Sequence, residues 1–322
     1  EQGEFQLTNP VSRFIPGIDS MMVFDGTDYV NQSRQMNIWH LLTHTSGLTY
    51  PGSVPGPIAE AYNKHIHLSN TSLQDLVEGI LKTPLVFQPG TRFMYGFSQD
   101  VAARLVEIIS GKSFGEFLQD ELLIPLGMND TGFYVPPGKA ARLTSMYGAF
   151  NIDVESTPEE NAKALEENWN VLLSDSESDY VTKPHNSFRG GHGLVSTAQD
   201  YYRFCAALLG KGEFEGVRVL GRKTVELMCL NHLPPELLPY DIGGMVQPGL
   251  GYGLGVRVML DPGMAHIAGS VGEFGWGGAA STYFWIDPVE ELIGIQMAQY
   301  QPAGKYQIGT DFRTTTYQSI ID

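Results

Sequence analysis

Several side chains in this sequence are spaced as chemical sites space them. Gly111-Lys112-Ser113-Phe114-Gly115 has the G-x-S-x-G form that presents a nucleophilic serine on a strand-to-helix turn. His40 and His44 stand four apart, as zinc-binding histidines do on one helix face. Both fail on context. The residues before Ser113 carry a helical pattern, so Ser113 reads as the cap of the next helix, and Leu41 occupies the position where a metalloprotease needs a glutamate. His65 and His67 alternate in a polar loop with no third ligand, and Gly191-His192-Gly193 follows no strand, which argues against a dinucleotide site. The reading calls for no metal and no cofactor.

The stretch Arg92-Phe93-Met94-Tyr95-Gly96-Phe97-Ser98-Gln99-Asp100 is a loop running into a helix. Ser98 is the natural N-cap, Asp100 suits the first turn, Val101, Leu105, Ile108 and Ile109 recur at the 3.6-residue period, and Gly111 ends the helix. Upstream, Met36 to Leu48 reads as a helix capped by Asn37 and stopped at Gly47, and Ser72 to Leu81 as a helix with Leu73, Leu76, Val77 and Ile80 on one face. Downstream, a helix passes through Phe114, Phe117, Leu118 and Leu122, and Thr197 to Leu209 and Val225 to Leu230 form two more. Gly253 to Leu260, Ala279 to Asp287 and Leu292 to Tyr300 have the β-branched and aromatic content of strands, the last two joined as a hairpin, and Phe312 to Ile321 closes the chain as a helix packed on the sheet.

Composition narrows the function classes. The 322 residues, 42% apolar and 17% charged, suffice for one large or two interleaved domains. Thirty-six acids against 20 bases leave a formal charge of −16, which repels phosphate backbones and anionic membrane surfaces. No run of apolar residues is long enough to span a membrane. Cys205 and Cys229 lie in apolar helical patterns and read as core residues, so the compartment stays open. Residues 151–180 hold nine acids against one base, half of the chain's formal excess. Thr157-Pro158-Glu159-Glu160 starts an exposed helix there, flanked by mobile loop, with a solvated insertion or a lid as its two readings.

Six segments taken together carry a resemblance: Pro10-Val11-Ser12-Arg13-Phe14-Ile15-Pro16, His40 through Leu48, Pro89-Gly90-Thr91-Arg92-Phe93-Met94-Tyr95, Pro125-Leu126-Gly127-Met128, Gly193-Leu194-Val195-Ser196-Thr197-Ala198 and Gly275-Trp276-Gly277-Gly278. In order and spacing the chain resembles the serine β-lactamase and DD-peptidase superfamily, within it the family VIII esterases related to class C β-lactamases. The resemblance implies an α+β fold, with a mainly helical domain over 1–190 and, over 191–322, an antiparallel sheet flanked by helices. It also implies a serine and a lysine at S-x-x-K, served by a tyrosine that Tyr95 matches and faced by a strand wall that Trp276, Gly277 and Gly278 match. On that mapping the N–H of Ala279 is an oxyanion donor, and Phe97 and His192 lie beside the substrate.

The chemistry has its own logic. A serine needs a base to take its proton, a lysine beside a phenol favours the phenolate, and the tyrosine can then hand the proton to the leaving group. Phe97 stands where class C enzymes carry an asparagine, and Trp276 where they carry a lysine, which turns the expectation from lactams toward neutral, compact esters; Arg189 could restore a positive charge. None of the nine lysines has a serine three residues before it. The nucleophile pair and the early strands of the sheet are therefore expected upstream of Glu1, in a separate N-terminal segment or chain. The expected function is ester hydrolysis through an acyl-serine on a small-molecule ester or amide. β-Lactamase, D-amino-acid peptidase and acyl transferase are alternatives within the fold, and a catalytically dead binding or scaffold protein is the alternative outside it.

Overall fold

The computed structural model describes residues 1–67, 71–149, 158–167, 170–178 and 183–321. Its helices are α1 (Ile38–Leu42), α2 (Pro57–His65), α3 (Leu73–Ile80), α4 (Ser98–Ser110), α5 (Phe114–Leu118), α6 (Pro158–Glu166), α7 (Ala198–Leu209), α8 (Arg222–Met228), α9 (Pro262–Ala265) and α10 (Ile308–Gln318). Its strands are β1 (Val23–Phe24), β2 (Tyr29–Val30), β3 (Met146–Gly148), β4 (Val171–Ser174), β5 (Glu213–Phe214), β6 (Val217–Arg218), β7 (Asp241–Ile242), β8 (Met245–Val246), β9 (Leu250–Tyr252), β10 (Arg257–Met259), β11 (Phe274–Gly277), β12 (Thr282–Asp287), β13 (Leu292–Met297) and β14 (Tyr300–Gln301). This is the expected α+β fold.

The main sheet is antiparallel throughout, in the order β13-β12-β11-β10-β9. Alternation along its strands separates two faces. Phe274, Phe284, Ile286 and Val258 share a core with Cys205 and Leu208 of α7. The other face meets α10, where Trp285 packs edge-on against Phe312. Gly294 lies opposite Trp285 in the ladder, and a Cβ there would strike the indole, so the ring needs a glycine across from it. Between this face and α10, Glu273 is fully buried and takes hydrogen bonds from Arg257 (2.8 Å), Arg313 and Tyr317 (2.9 Å).

The helical part has its own core, built from Leu41, Leu73, Leu76, Ile80, Val101 and Leu105 among others. Several helix ends follow the sequence closely. Asn37 caps α1 in a capping box closed by His40, Ser72 caps α3, Thr197 caps α7, and Gly111 ends α4 in the left-handed conformation. Ser113 caps α5 reciprocally with Glu116, which commits its hydroxyl to structure. Two ends differ. Ser98 is the first residue inside α4 rather than its cap, because its buried hydroxyl bonds Ser46 at 2.8 Å. α1 stops at Leu42, five residues before Gly47, as the chain turns through His44 at φ +54°.

Residues 151–157, 168–169 and 179–180 of the acidic segment, and with them Thr157 as a cap, lie outside the described residues. α6 is present, and 171–174, expected as loop, instead form β4, paired with β3, which in turn runs parallel to β14. Of the expected strand over 253–260 only 257–259 are strand, as β10; 253–256 form the turn from β9, which ends at Tyr252, and Ala279 to Ser281 form the turn that precedes β12. Among the described residues no helix is long and apolar enough to cross a membrane.

Candidate active site

Two backbone segments bring the candidate residues together. The run after α1 lies beside the run before α4, tied by Gly90 N–H to Thr45 O (2.7 Å) and Met94 N–H to His44 O (2.8 Å). Tyr95 emerges from this pairing into an aromatic enclosure. Its ring lies 4.7 Å from that of His44, 5.6 Å from Tyr50 and 5.6 Å from Trp276. Trp276 in turn meets Tyr252 edge-on at 5.4 Å. The expected tyrosine and the expected strand wall are therefore in contact, 181 positions apart in sequence.

The electrostatics at Tyr95 are mixed. Burial pushes its phenol up, the Trp276 N–H on its oxygen pulls it down, and the negative charge of Asp100 pushes it up again. The net direction is upward, so within these residues Tyr95 is a protonated phenol. A cation beside it would be needed to favour the phenolate.

The wall consists of β11 and the turn behind it. Gly275 lies so close to the carbonyl of Phe284 that no side chain fits, while Gly277 is exposed. The N–H of Gly278 is spent on Thr282 O (2.8 Å); that of Ala279, in the turn, has no partner among the described residues. Ala279 is exposed, so a substrate carbonyl could reach that donor.

Phe97 is placed differently from the sequence expectation. It is 3% exposed, edge-on to Tyr50 at 4.6 Å and stacked on Tyr62, so it backs the site rather than facing substrate. Arg189 is also buried, its Nε donating to Ser187 Oγ at 3.2 Å, and it does not line an open wall. His192 is exposed on the neighbouring turn, within electrostatic reach of Asp100.

His40 and His44 do not form a metal pair. The helix ends between them; His40 accepts the Asn37 N–H on Nδ1, while His44 turns toward Tyr95. Among the described residues no group of three or more His, Cys, Asp or Glu could hold a metal ion. A surface cavity of about 440 Å³, lined by Lys64, His65, His67, Asp75, Glu78 and Lys82 among others, shares no residue with the aromatic site.

Sequence reasoning missed His44, Tyr50, Tyr252 and Asp100 as neighbours of Tyr95. Asp100 left a signal as an acid in a first helical turn, and His44 in its spacing from His40; Tyr50 and Tyr252 are aromatic residues that spacing cannot assign.

Residues 1–314 match the family described as Beta-lactamase. The chain belongs to the beta-lactamase family. An uncharacterised protein of Mycobacterium tuberculosis is 34% identical over 312 residues that cover 94% of this chain and 73% of the relative. Lovastatin esterase of Penicillium rubens is 29% identical over 321 residues, covering 93% of this chain and 74% of that enzyme. Among solved structures, EstCE1, a hydrolase with promiscuous acyltransferase activity, superposes with a TM-score of 0.76 at 23% identity, covering 98% of this chain and 79% of that one. The beta-lactamase-family members similar to this chain thus include an esterase and a hydrolase with acyltransferase activity.

Proposed function

We propose that this protein hydrolyses a compact carboxylic ester through an acyl-serine intermediate. The observation that carries the reading is the contact of Tyr95 with Trp276 on β11, a phenol enclosed by the rings of His44, Tyr50 and Trp276. In the proposed sequence, Tyr95 takes the proton of a serine Oγ as that oxygen attacks the ester carbonyl. It then returns the proton to the departing alcohol as the C–O bond breaks, and water releases the acid by the same route. The N–H of Ala279 stabilises the oxyanion, a contribution of about 3 kcal/mol in comparable sites. Trp276, Gly277 and Gly278 form the binding wall, and His192 the rim.

No S-x-x-K occurs among these 322 residues, and the scheme takes its serine and lysine from the S-x-x-K that the family resemblance implies. The lysine supplies the positive charge that offsets the upward push on Tyr95. Ester is favoured over lactam because Trp276 offers no charge to a carboxylate and Arg189 is buried. The esterase and hydrolase names among the relatives support the same class. Acyl transfer to an alcohol is the second reading, favoured by the acyltransferase activity named for EstCE1.

The test treats the natural full-length protein with a fluorophosphonate and locates the adduct by mass spectrometry. An adduct on a serine of an S-x-x-K motif is expected. No adduct would overturn the enzyme reading in favour of a binding protein. Parallel assays with nitrophenyl butyrate, with and without added alcohol, and with a chromogenic cephalosporin then separate hydrolysis, transfer and lactam cleavage.

A further inference from the structure

We propose that Asp100 is a positioning residue of the Tyr95 site: its carboxylate clamps the Arg189–Gly193 turn onto the start of α4 and so holds Tyr50 as a fixed wedge beside Tyr95. The clamp itself stands on geometry, and its link to turnover rests on the function proposed above.

Asp100 lies in the first turn of α4, five residues after Tyr95, and is 1% exposed. An acid placed there only to complement the helix dipole would stay in water, since burying a carboxylate is unfavourable without compensating donors. The donors are backbone groups from a distant turn. Oδ1 accepts the N–H of Gly190 at 3.1 Å and of Gly191 at 3.4 Å. Burial pushes this carboxyl up, and the neighbouring His192 and Arg189 draw it part of the way back.

The two glycines are required by what presses on them. A Cβ on Gly190 would collide with the Gln99 carbonyl and the Ala103 side chain. A Cβ on Gly191 would stand 2.7 Å from Tyr50 Oη and 3.2 Å from Asp100 Oδ2. Neither residue has a positive φ, so they are glycine for space rather than for backbone freedom. The turn is thereby pressed flat between α4 and the Tyr50 hydroxyl.

Tyr50 carries the contact to the site. Its ring stands edge-on to Tyr95 at 5.6 Å and to Phe97 at 4.6 Å, while its hydroxyl reaches Gly191. Asp100, Gly191, Tyr50 and Tyr95 form one packed series. Loosening its first member frees the turn, lets Tyr50 swing away and removes one wall of the Tyr95 enclosure.

The test uses the natural full-length protein and the variants Asp100→Asn, Asp100→Ala, Gly191→Ala and Gly191→Ala/Tyr50→Phe. Asn keeps an oxygen for the two N–H groups, whereas Ala does not. Amide exchange at Gly190 and Gly191 is expected to accelerate about tenfold or more in Asp100→Ala and to stay within about threefold of wild type in Asp100→Asn. Gly191→Ala should alter the near-ultraviolet circular dichroism of the aromatic cluster, and adding Tyr50→Phe, which removes the atom the new methyl would meet, should restore it. With an ester substrate, Asp100→Ala should raise KM by about tenfold or more with a smaller change in kcat, and Asn should rescue it.

Unchanged exchange in Asp100→Ala, or a Gly191→Ala spectrum that is unaltered or not restored by Tyr50→Phe, would overturn the clamp. Loss of exchange protection with an unchanged KM would overturn the positioning role. If wild type proves inert toward the fluorophosphonate, the proposed function fails, while the exchange and dichroism arms still decide the clamp.

Discussion

The Trp276 and Tyr95 rings lie 5.6 Å apart, and the Trp276 N–H draws the phenol's pKa down. This pull opposes the upward push that burial exerts on the phenol. Trp276→Phe keeps an aromatic ring and removes the donor, so Tyr95 ionisation should move to higher pH. The limb of kcat/KM that rises as Tyr95 deprotonates should shift with it, and kcat/KM at neutral pH should fall about tenfold. A pH–rate profile checks this, and an unshifted limb would contradict the assignment.

Tyr95→Phe removes the proton-carrying oxygen and little else. Turnover should fall by about 10² to 10⁴, since general acid–base groups contribute in that range. The far-ultraviolet circular dichroism and unfolding midpoint should stay near wild type. A variant with wild-type turnover would refute the role of Tyr95.

Acid should destabilise the fold through two histidines. Burial, joined by the Arg34 charge, lowers His40 to about 4, and burial lowers His44 to about 3, from 6.5. A histidine depressed on folding binds fewer protons folded than unfolded, so its stabilisation is complete above pH 6.5 and is lost as the pH falls toward 4 and 3. Each group can cost at most about 1.4 kcal/mol per pH unit in that window. Urea midpoints at pH 7 and pH 4.5 should reveal the loss, and His44→Phe should shrink it. An identical loss in the variant would count against the buried, neutral His44.

Glu273→Ala should leave Arg257 and Arg313 buried without their shared carboxylate. Removing one partner of a buried ionic network typically costs about 3–5 kcal/mol. Denaturant unfolding measures it. A change under about 1 kcal/mol would mean that the two guanidinium groups reach water on their own.

Local structure was legible wherever one residue type answers one local demand. Asn37 and Ser113 satisfy orphan N–H groups at helix starts, and Gly111 takes the left-handed position after α4. Ser98 and Phe97 were misread for the opposite reason. Their side chains answer partners far along the chain, Ser46 for the hydroxyl and Tyr50 and Tyr62 for the ring, and no local window contains those partners. β4 was missed because a short strand depends on the neighbour it pairs with, here β3.

The sequence by itself determined the caps at Asn37 and Ser113, the glycine run of Gly275 to Gly278, the acidic charge and the absence of S-x-x-K among these residues. Those features depend on residue type and short spacing, which a linear text records. Only the tertiary structure decided that Tyr95 touches Trp276, that His44 lies against the tyrosine ring, and that Asp100 is bonded to Gly190 and Gly191 instead of facing solvent. Burial and electrostatic environment are properties of what packs around a group, and the groups around Tyr95 are gathered from positions 44 to 276.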